Sequence, residues 1–178
     1  MHNKIPSIFT FISDFKKKEI LNLNKNIGII FRNYKEENNK NKILELKYFC
    51  KNNNRKLYLA NNIKLAINLS LDGAYIPSFV KNLQLGNFAL KKDFLLMGSA
   101  HNIYEIKEKE KQNIKLIFLS PIFKTKNYKK GLGIIKFNFL SRLSKKKIIA
   151  LGGISKKNIK KLKIANIYGF SGISYFHK

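Results

Sequence analysis

Eight short apolar runs recur along the chain, and between most of them lie longer stretches with apolar residues at helical spacing and lysines on the opposite face. The runs are PSIFTFIS (6–13), NIGIIFR (26–32), KLYLA (56–60), GAYIP (73–77), FLLMGSA (94–100), IKLIFLS (114–120), KIIALGG (147–153) and GFSGISYF (169–176). All are short, β-branched or aromatic-rich, and bounded by Gly, Asn, Ser or Lys, which is the signature of buried strands. Near-continuous apolarity within each run points to parallel strands covered on both faces.

The intervening segments 14–23, 39–53, 62–70, 101–113, 135–144 and 155–166 carry apolar residues at roughly i, i+3 and i+4, the pattern of helices with one buried stripe. Ser155, ahead of KKNIKK, reads as the N-cap of the last of them. Segment 78–93 contains Gly86 and reads as an irregular crossover. Eight strands with seven crossovers predict an α/β fold, a compact (β/α)8 TIM-type barrel in one domain over 1–178. No final helix is expected after the eighth strand. Pattern alone does not show closure, so an open doubly wound sheet remains the alternative.

Composition narrows the function classes. With 178 residues, 44% hydrophobic and 12% aromatic, the chain buries a real core. No apolar run approaches the roughly 18–20 residues of a membrane span. The N-terminus has no signal-peptide layout, because DFKKKE follows its apolar stretch directly. A cytoplasmic protein without membrane contact is expected. Cys50 is the single cysteine and has no partner at metal spacing.

The formal net charge is +26. Such a balance raises nucleic-acid binding, but the lysines spread over every predicted helix and no RNA- or DNA-binding motif is present. Charge alone supports only non-specific attraction, so no specific nucleic acid is expected. The same excess suits an anionic small ligand. Only Arg32, Arg55 and Arg142 of the 36 basic residues are arginine, so Arg32 at a strand end suggests a bidentate anion contact. A peripheral ion pair with Glu36 or Glu37 is the structural alternative.

In a barrel the ligand site is built from residues after the strand C-termini. Here these are Asp14, Arg32, Tyr34, Lys35, Asn61, Asn62, Pro77, Ser78, Ser99, His101, Asn102, Ser120, Thr125, Lys126, Asn127, Lys129, Lys130, Gly152, Gly153 and Ser174. The set is rich in hydroxyls, amides and cations and poor in carboxylates, which suits phosphate oxygens. ALGGIS (150–155) and GFSGIS (169–174) stand where barrels often cradle a phosphate. SPIFKTKNYKKGLG (120–133) adds Thr125 and three lysines in a Pro/Gly-marked loop. His101 is either a general acid–base or an exposed histidine at a helix start. Asp72 and Asp93 precede strands, so a metal site built on two carboxylates is doubtful, although Asp14 with Glu36 or Glu37 remains open.

GIIFRNY, LYLANNIKLAINLSLDGAYIPS, GSAHN, SPIFKTKNYKKGLG, ALGGIS and GFSGISYF, in this order and spacing, resemble the thiamine-phosphate synthase and thiazole-tautomerase family. The likeness runs from the second strand to the end. It implies a transferase that joins hydroxymethylpyrimidine pyrophosphate to thiazole phosphate, with Mg²⁺ assisting the departure of pyrophosphate. By position, it implies pyrophosphate contacts at Arg32, Ser99 and Thr125, and a thiazole-phosphate cradle at Gly153, Ile173 and Ser174, with Thr125 beside it. Lys126 or Lys129 stands for a displaced lysine after the sixth strand. Asn61 and His101 complete the candidate substrate-binding set.

Departures are concentrated at the metal. The family's glutamine before the arginine is Ile30, and its lysine after it is Tyr34, beside Lys35. The Asn-Asp pair after the third strand reads Ala60-Asn61, and a His-x-Gly-x-x-Asp pattern reads Tyr75 to Val80, so the metal ligands are unknown. The Ile76-Pro77-Ser78 sequence resembles the tautomerase branch, but that branch's histidine on the sixth strand is Pro121. Two readings follow. One is a divergent synthase that uses lysines, or Mg²⁺ held on pyrophosphate oxygens. The other is a non-catalytic or tautomerase-like relative that binds thiazole phosphate or thiamine phosphate.

Overall fold

The computed structural model describes residues 5–33, 40–83, 88–173 and 175–176. All eight runs form strands: β1 (Ile8–Ile12), β2 (Ile27–Phe31), β3 (Leu57–Ala60), β4 (Gly73–Ile76), β5 (Leu95–Ala100), β6 (Leu116–Leu119), β7 (Lys147–Leu151) and β8 (Gly169–Ser171). They pair in parallel, in sequence order, and β8 closes on β1. Closure resolves the alternative left by the pattern in favour of the barrel.

Five crossovers carry α-helices: α1 (Lys17–Leu21), α2 (Lys40–Asn52), α3 (Ile63–Asn68), α4 (Ile103–Lys111) and α5 (Gly133–Arg142). The last crossover departs from expectation. Residues 159–164 form a 3-10 helix, and Ser155 is not its N-cap. Instead the Asn158 side chain accepts the Ser155 N–H at 2.9 Å and donates to the Gly153 carbonyl at 2.7 Å. Asn158 thus spends on its own loop the capping capacity expected of Ser155. No α-helix follows β8 among the described residues; Tyr175 and Phe176 pack on Phe170 instead, at 5.4 and 6.4 Å between ring centroids.

The core has two layers. Outward-facing strand residues and the helices form the larger one. Inside the barrel, Phe9, Phe11, Tyr58, Tyr75 and Phe118 pack with Ile30, Leu95, Met97, Leu116 and Ile149. The rings meet edge to face, with Phe9–Phe118 at 5.2 Å and Phe11–Tyr75 at 5.1 Å between centroids, which adds to the burial of apolar surface. Bulky rings demand small neighbours. A Cβ on Gly28, paired with Phe9, would lie 2.6 Å from that ring.

The β8–β1 seam has only two registered pairs, and hydroxyls reinforce it. Ser171 Oγ donates to the Phe9 carbonyl at 3.0 Å, and Thr10 Oγ1 donates to the Gly172 carbonyl at 3.3 Å.

The irregular β4–β5 crossover is anchored from α4. Lys109 is fully buried, and its Nζ donates to Pro77 O (2.8 Å), Val80 O (2.8 Å) and Gln112 Oε1 (2.9 Å). Gln112 Nε2 in turn donates to Val80 O and Asn82 O. Among the described residues, no helix is long and apolar enough to cross a membrane.

Candidate active site

At the C-terminal ends of β6, β7 and β8 lies a cleft of about 640 Å³, lined by residues 124–126, 151–155 and 171–173. It brings together Thr125, Lys126, Gly153 and Ile173 of the predicted set, and adds Lys124, Ser155 and Ser171. Ser174, Tyr34, Lys35, Glu36, Glu37 and Gly86 lie outside the described residues.

Strand-like pairing continues past the sheet to shape this cleft. The Ile122 and Phe123 N–H groups donate to the Leu151 and Gly152 carbonyls, at 2.9 and 3.1 Å. Gly152 and Gly153 adopt φ of +95° and +70°, which side chains disfavour. A Cβ on Gly153 would lie 2.4 Å from the Lys124 carbonyl oxygen. Two glycines are therefore needed both for the turn and for the approach of the β6 loop. That turn leaves the N–H groups of Gly153 and Ile154 without a protein acceptor among the described residues. Amides of this kind, beside lysines, suit a phosphate group.

The loop between β6 and α5 is pinned at its neck. Leu132 N donates to Pro121 O at 2.8 Å, and Gly133 N donates to Ile122 O at 3.0 Å. Within it, Thr125 Oγ1 accepts the Tyr128 N–H at 3.1 Å, while the Thr125 N–H donates to Tyr128 O at 3.0 Å. This turn presents Lys124 and Lys126 to the cleft and leaves the Thr125 hydroxyl proton for a ligand. Lys129 is exposed further along the loop and does not line the cleft.

The remaining predicted residues sit elsewhere around the mouth. Ser99 faces inward at the top of β5, paired with Phe118 and nearly buried. The Arg32 guanidinium lies 4.5 Å over the Phe11 ring, a cation–π contact on β2, opposite β6 in the closed barrel. Asn61 follows β3 with φ of +65° and donates its N–H to Tyr75 O at 2.9 Å. His101 is half-buried, with Nδ1 2.8 Å from the Ser120 carbonyl oxygen. A carbonyl only accepts, so Nδ1 carries the proton and Nε2 holds the lone pair in the neutral ring.

Tyr128, which residue type alone does not mark as part of the site, stacks on His101 at 6.1 Å between centroids and 24° between planes. It thereby joins the β6 loop to the end of β5. An aromatic within a lysine-rich loop was the only sequence signal for it.

Arg55 is buried and donates to the carbonyls of Leu21, Leu23 and Asn24 at 2.7–3.3 Å, closing the turn after α1. Its role is structural.

The described residues do not fit a protein-held Mg²⁺. No three His, Cys, Asp or Glu gather among them. Asp14 is ion-paired with Lys42 at 2.6 Å, and that hydrogen bond lowers its pKa. Glu105 accepts the His101 N–H at 2.8 Å and the Asn102 side chain at 3.2 Å, closing the N-terminus of α4.

A family model described as thiamine monophosphate synthase matches residues 22–176. A putative thiamine-phosphate synthase 2 from Aquifex aeolicus is 26% identical over 171 residues, covering 92% of this chain and 78% of the relative. A thiamine-phosphate synthase from Prochlorococcus marinus is 28% identical over 126 residues. That match covers 69% of this chain but only 36% of the longer relative. The solved structure of thiamine phosphate pyrophosphorylase from Pyrococcus furiosus superposes with a TM-score of 0.74 at 13% identity. It covers 95% of this chain and 86% of that one, a likeness of fold. With the family model spanning nearly the whole barrel and its mouth, the chain belongs to the thiamine monophosphate synthase family of thiamine-biosynthesis enzymes.

Proposed function

We propose that residues 1–178 work as one barrel domain in the cytoplasm, coupling hydroxymethylpyrimidine pyrophosphate to thiazole phosphate. The observation that carries this reading is the cleft of about 640 Å³, where Lys124, Thr125 and Lys126 face the glycine turn after β7. In this reading the cleft takes the thiazole phosphate on the Gly153 and Ile154 amides, with Thr125, Ile173 and Ser174 beside it. The pyrimidine lies over the aromatic floor, its pyrophosphate reached by Arg32, Ser99 and Lys126. Asn61, His101 and Lys129 contact substrate at the rim. No specific nucleic acid or membrane takes part.

The reaction breaks the bond between the pyrimidine methylene carbon and the pyrophosphate oxygen, which leaves with the electron pair. The thiazole nitrogen then forms the new C–N bond. Negative charge grows on the leaving oxygens, so fixed cations beside them stabilise the transition state more than the ground state.

The test is a coupling assay with both phosphorylated precursors, with and without Mg²⁺, reading thiamine phosphate by chromatography. Product is the expected result. Absence of product with retained thiazole-phosphate binding in calorimetry would replace this reading with that of a binding protein. Arg32→Ala is expected to lower kcat/KM at least tenfold, since a charged hydrogen bond contributes about 1.5–3 kcal/mol. An unchanged value would remove Arg32 from the site.

A further inference from the structure

Mg²⁺ bound beside phosphates ordinarily keeps several waters and takes one or two protein carboxylates. Among the described residues, the two carboxylates near the mouth of this barrel, Asp14 and Glu105, are both engaged. Asp14 is held by Lys42, and Glu105 closes the N-terminus of α4. The ends of β3 and β4 present Asn61 and Val80, and the Val80 carbonyl already accepts from Lys109 and Gln112. Cations, by contrast, are well represented there among the described residues. Lys124 and Lys126 line the cleft from β6, and Arg32 stands on the opposite side at β2.

Resting on the reading of the preceding subsection, we infer that the chain's own cations, Lys124 and Lys126 with Arg32 facing them, bind and neutralise the pyrophosphate group without a protein-held Mg²⁺. A pyrophosphate carries about three negative charges near neutral pH, and two ammonium groups and a guanidinium match them. Lysine acts as a mobile point charge and arginine as a fixed fork, so the pair at β6 follows the leaving group while Arg32 orients it. Any Mg²⁺ present then arrives as a counterion of the substrate.

The probe is inorganic pyrophosphate, titrated calorimetrically into the full chain in EDTA and again in excess Mg²⁺. The dissociation constants are expected to agree within about threefold, and Lys124→Met with Lys126→Met to weaken binding at least about tenfold. A control pair at the opposite end of the barrel, Lys115→Met with Lys145→Met, removes the same charge from exposed positions. It is expected to leave affinity within about twofold, because separated exposed charges are screened.

Binding that appears only with Mg²⁺ overturns the inference and leaves the proposed function standing. Equal losses in the two double variants also overturn it, since attraction would then belong to the net charge. No binding under either condition overturns the inference and the functional reading together.

Discussion

Gly153→Ala is expected to lower thiamine phosphate formation about a hundredfold, the scale on which misplacing a site by an ångström acts. The added Cβ would lie 2.4 Å from the Lys124 carbonyl oxygen and 2.7 Å from the Phe123 carbonyl carbon. Both are backbone atoms and cannot rotate away. Relief requires the loop bearing Lys124, Thr125 and Lys126 to retreat from the cleft, or the turn to abandon its φ of +70°. The second route removes the Gly153 and Ile154 amides from their present direction.

Holding a non-glycine residue at that φ costs about 1–3 kcal/mol. For a chain of this length that is a fall of roughly 2–12 °C in Tm. The variant is therefore expected to remain folded at assay temperature, so steady-state kinetics and a melting curve separate the two effects. Near-normal turnover in a folded variant would show that the glycine turn is merely a bend.

Lys109→Met is expected to destabilise the fold strongly, because this lysine is buried and fully hydrogen-bonded. Pro77 O and Gln112 Oε1 lose their donor, while Val80 O keeps the Gln112 amide. An unsatisfied buried group costs about 1–3 kcal/mol, so a loss of about 2–4 kcal/mol is expected, or roughly 4–16 °C in Tm. Urea unfolding reads it directly. A loss under about 1 kcal/mol would mean that the crossover is held by packing alone.

The same lysine carries a pH signature. Burial pushes its amine from 10.5 down to about 8, against the opposing pull of Glu105 and Glu108. The folded value lies below the unfolded one, so between about pH 8 and 10.5 the unfolded chain binds more protons. Stability from this group therefore rises with pH through that window and is lost as pH falls through about 8. The difference between the wild type and Lys109→Met is expected to widen across the window. A constant difference would place Lys109 in contact with water.

Strands were legible because each lies in a short apolar run bounded by turn-forming or charged residues, a signal contained within ten residues. All eight runs became strands, each trimmed by a residue or more at its ends, most heavily in 169–176, where only Gly169–Ser171 pair. The GG after β7 was legible for a related reason. Positive φ and close backbone approach select glycine whatever lies around it, and the structure shows both conditions.

Ser155 failed as a helix cap because the competition was decided three residues away. Asn158 reaches back to both Ser155 N and Gly153 O, and no local propensity ranks those two arrangements.

What the sequence determined by itself is the order of strands and crossovers, the poverty of carboxylates at the strand ends, and the glycine turn of the cleft. All of these are properties of residue type and of spacing along the chain. Only the tertiary structure decided that the sheet closes and that Lys109 and Arg55 are interior fasteners among dozens of solvated cations. It also decided that Tyr128 reaches across to His101. A lysine's identity is the same in water and in the core. Whether it meets solvent or the waiting Pro77 and Val80 carbonyls depends on segments 29 or more residues away, which local pattern does not encode.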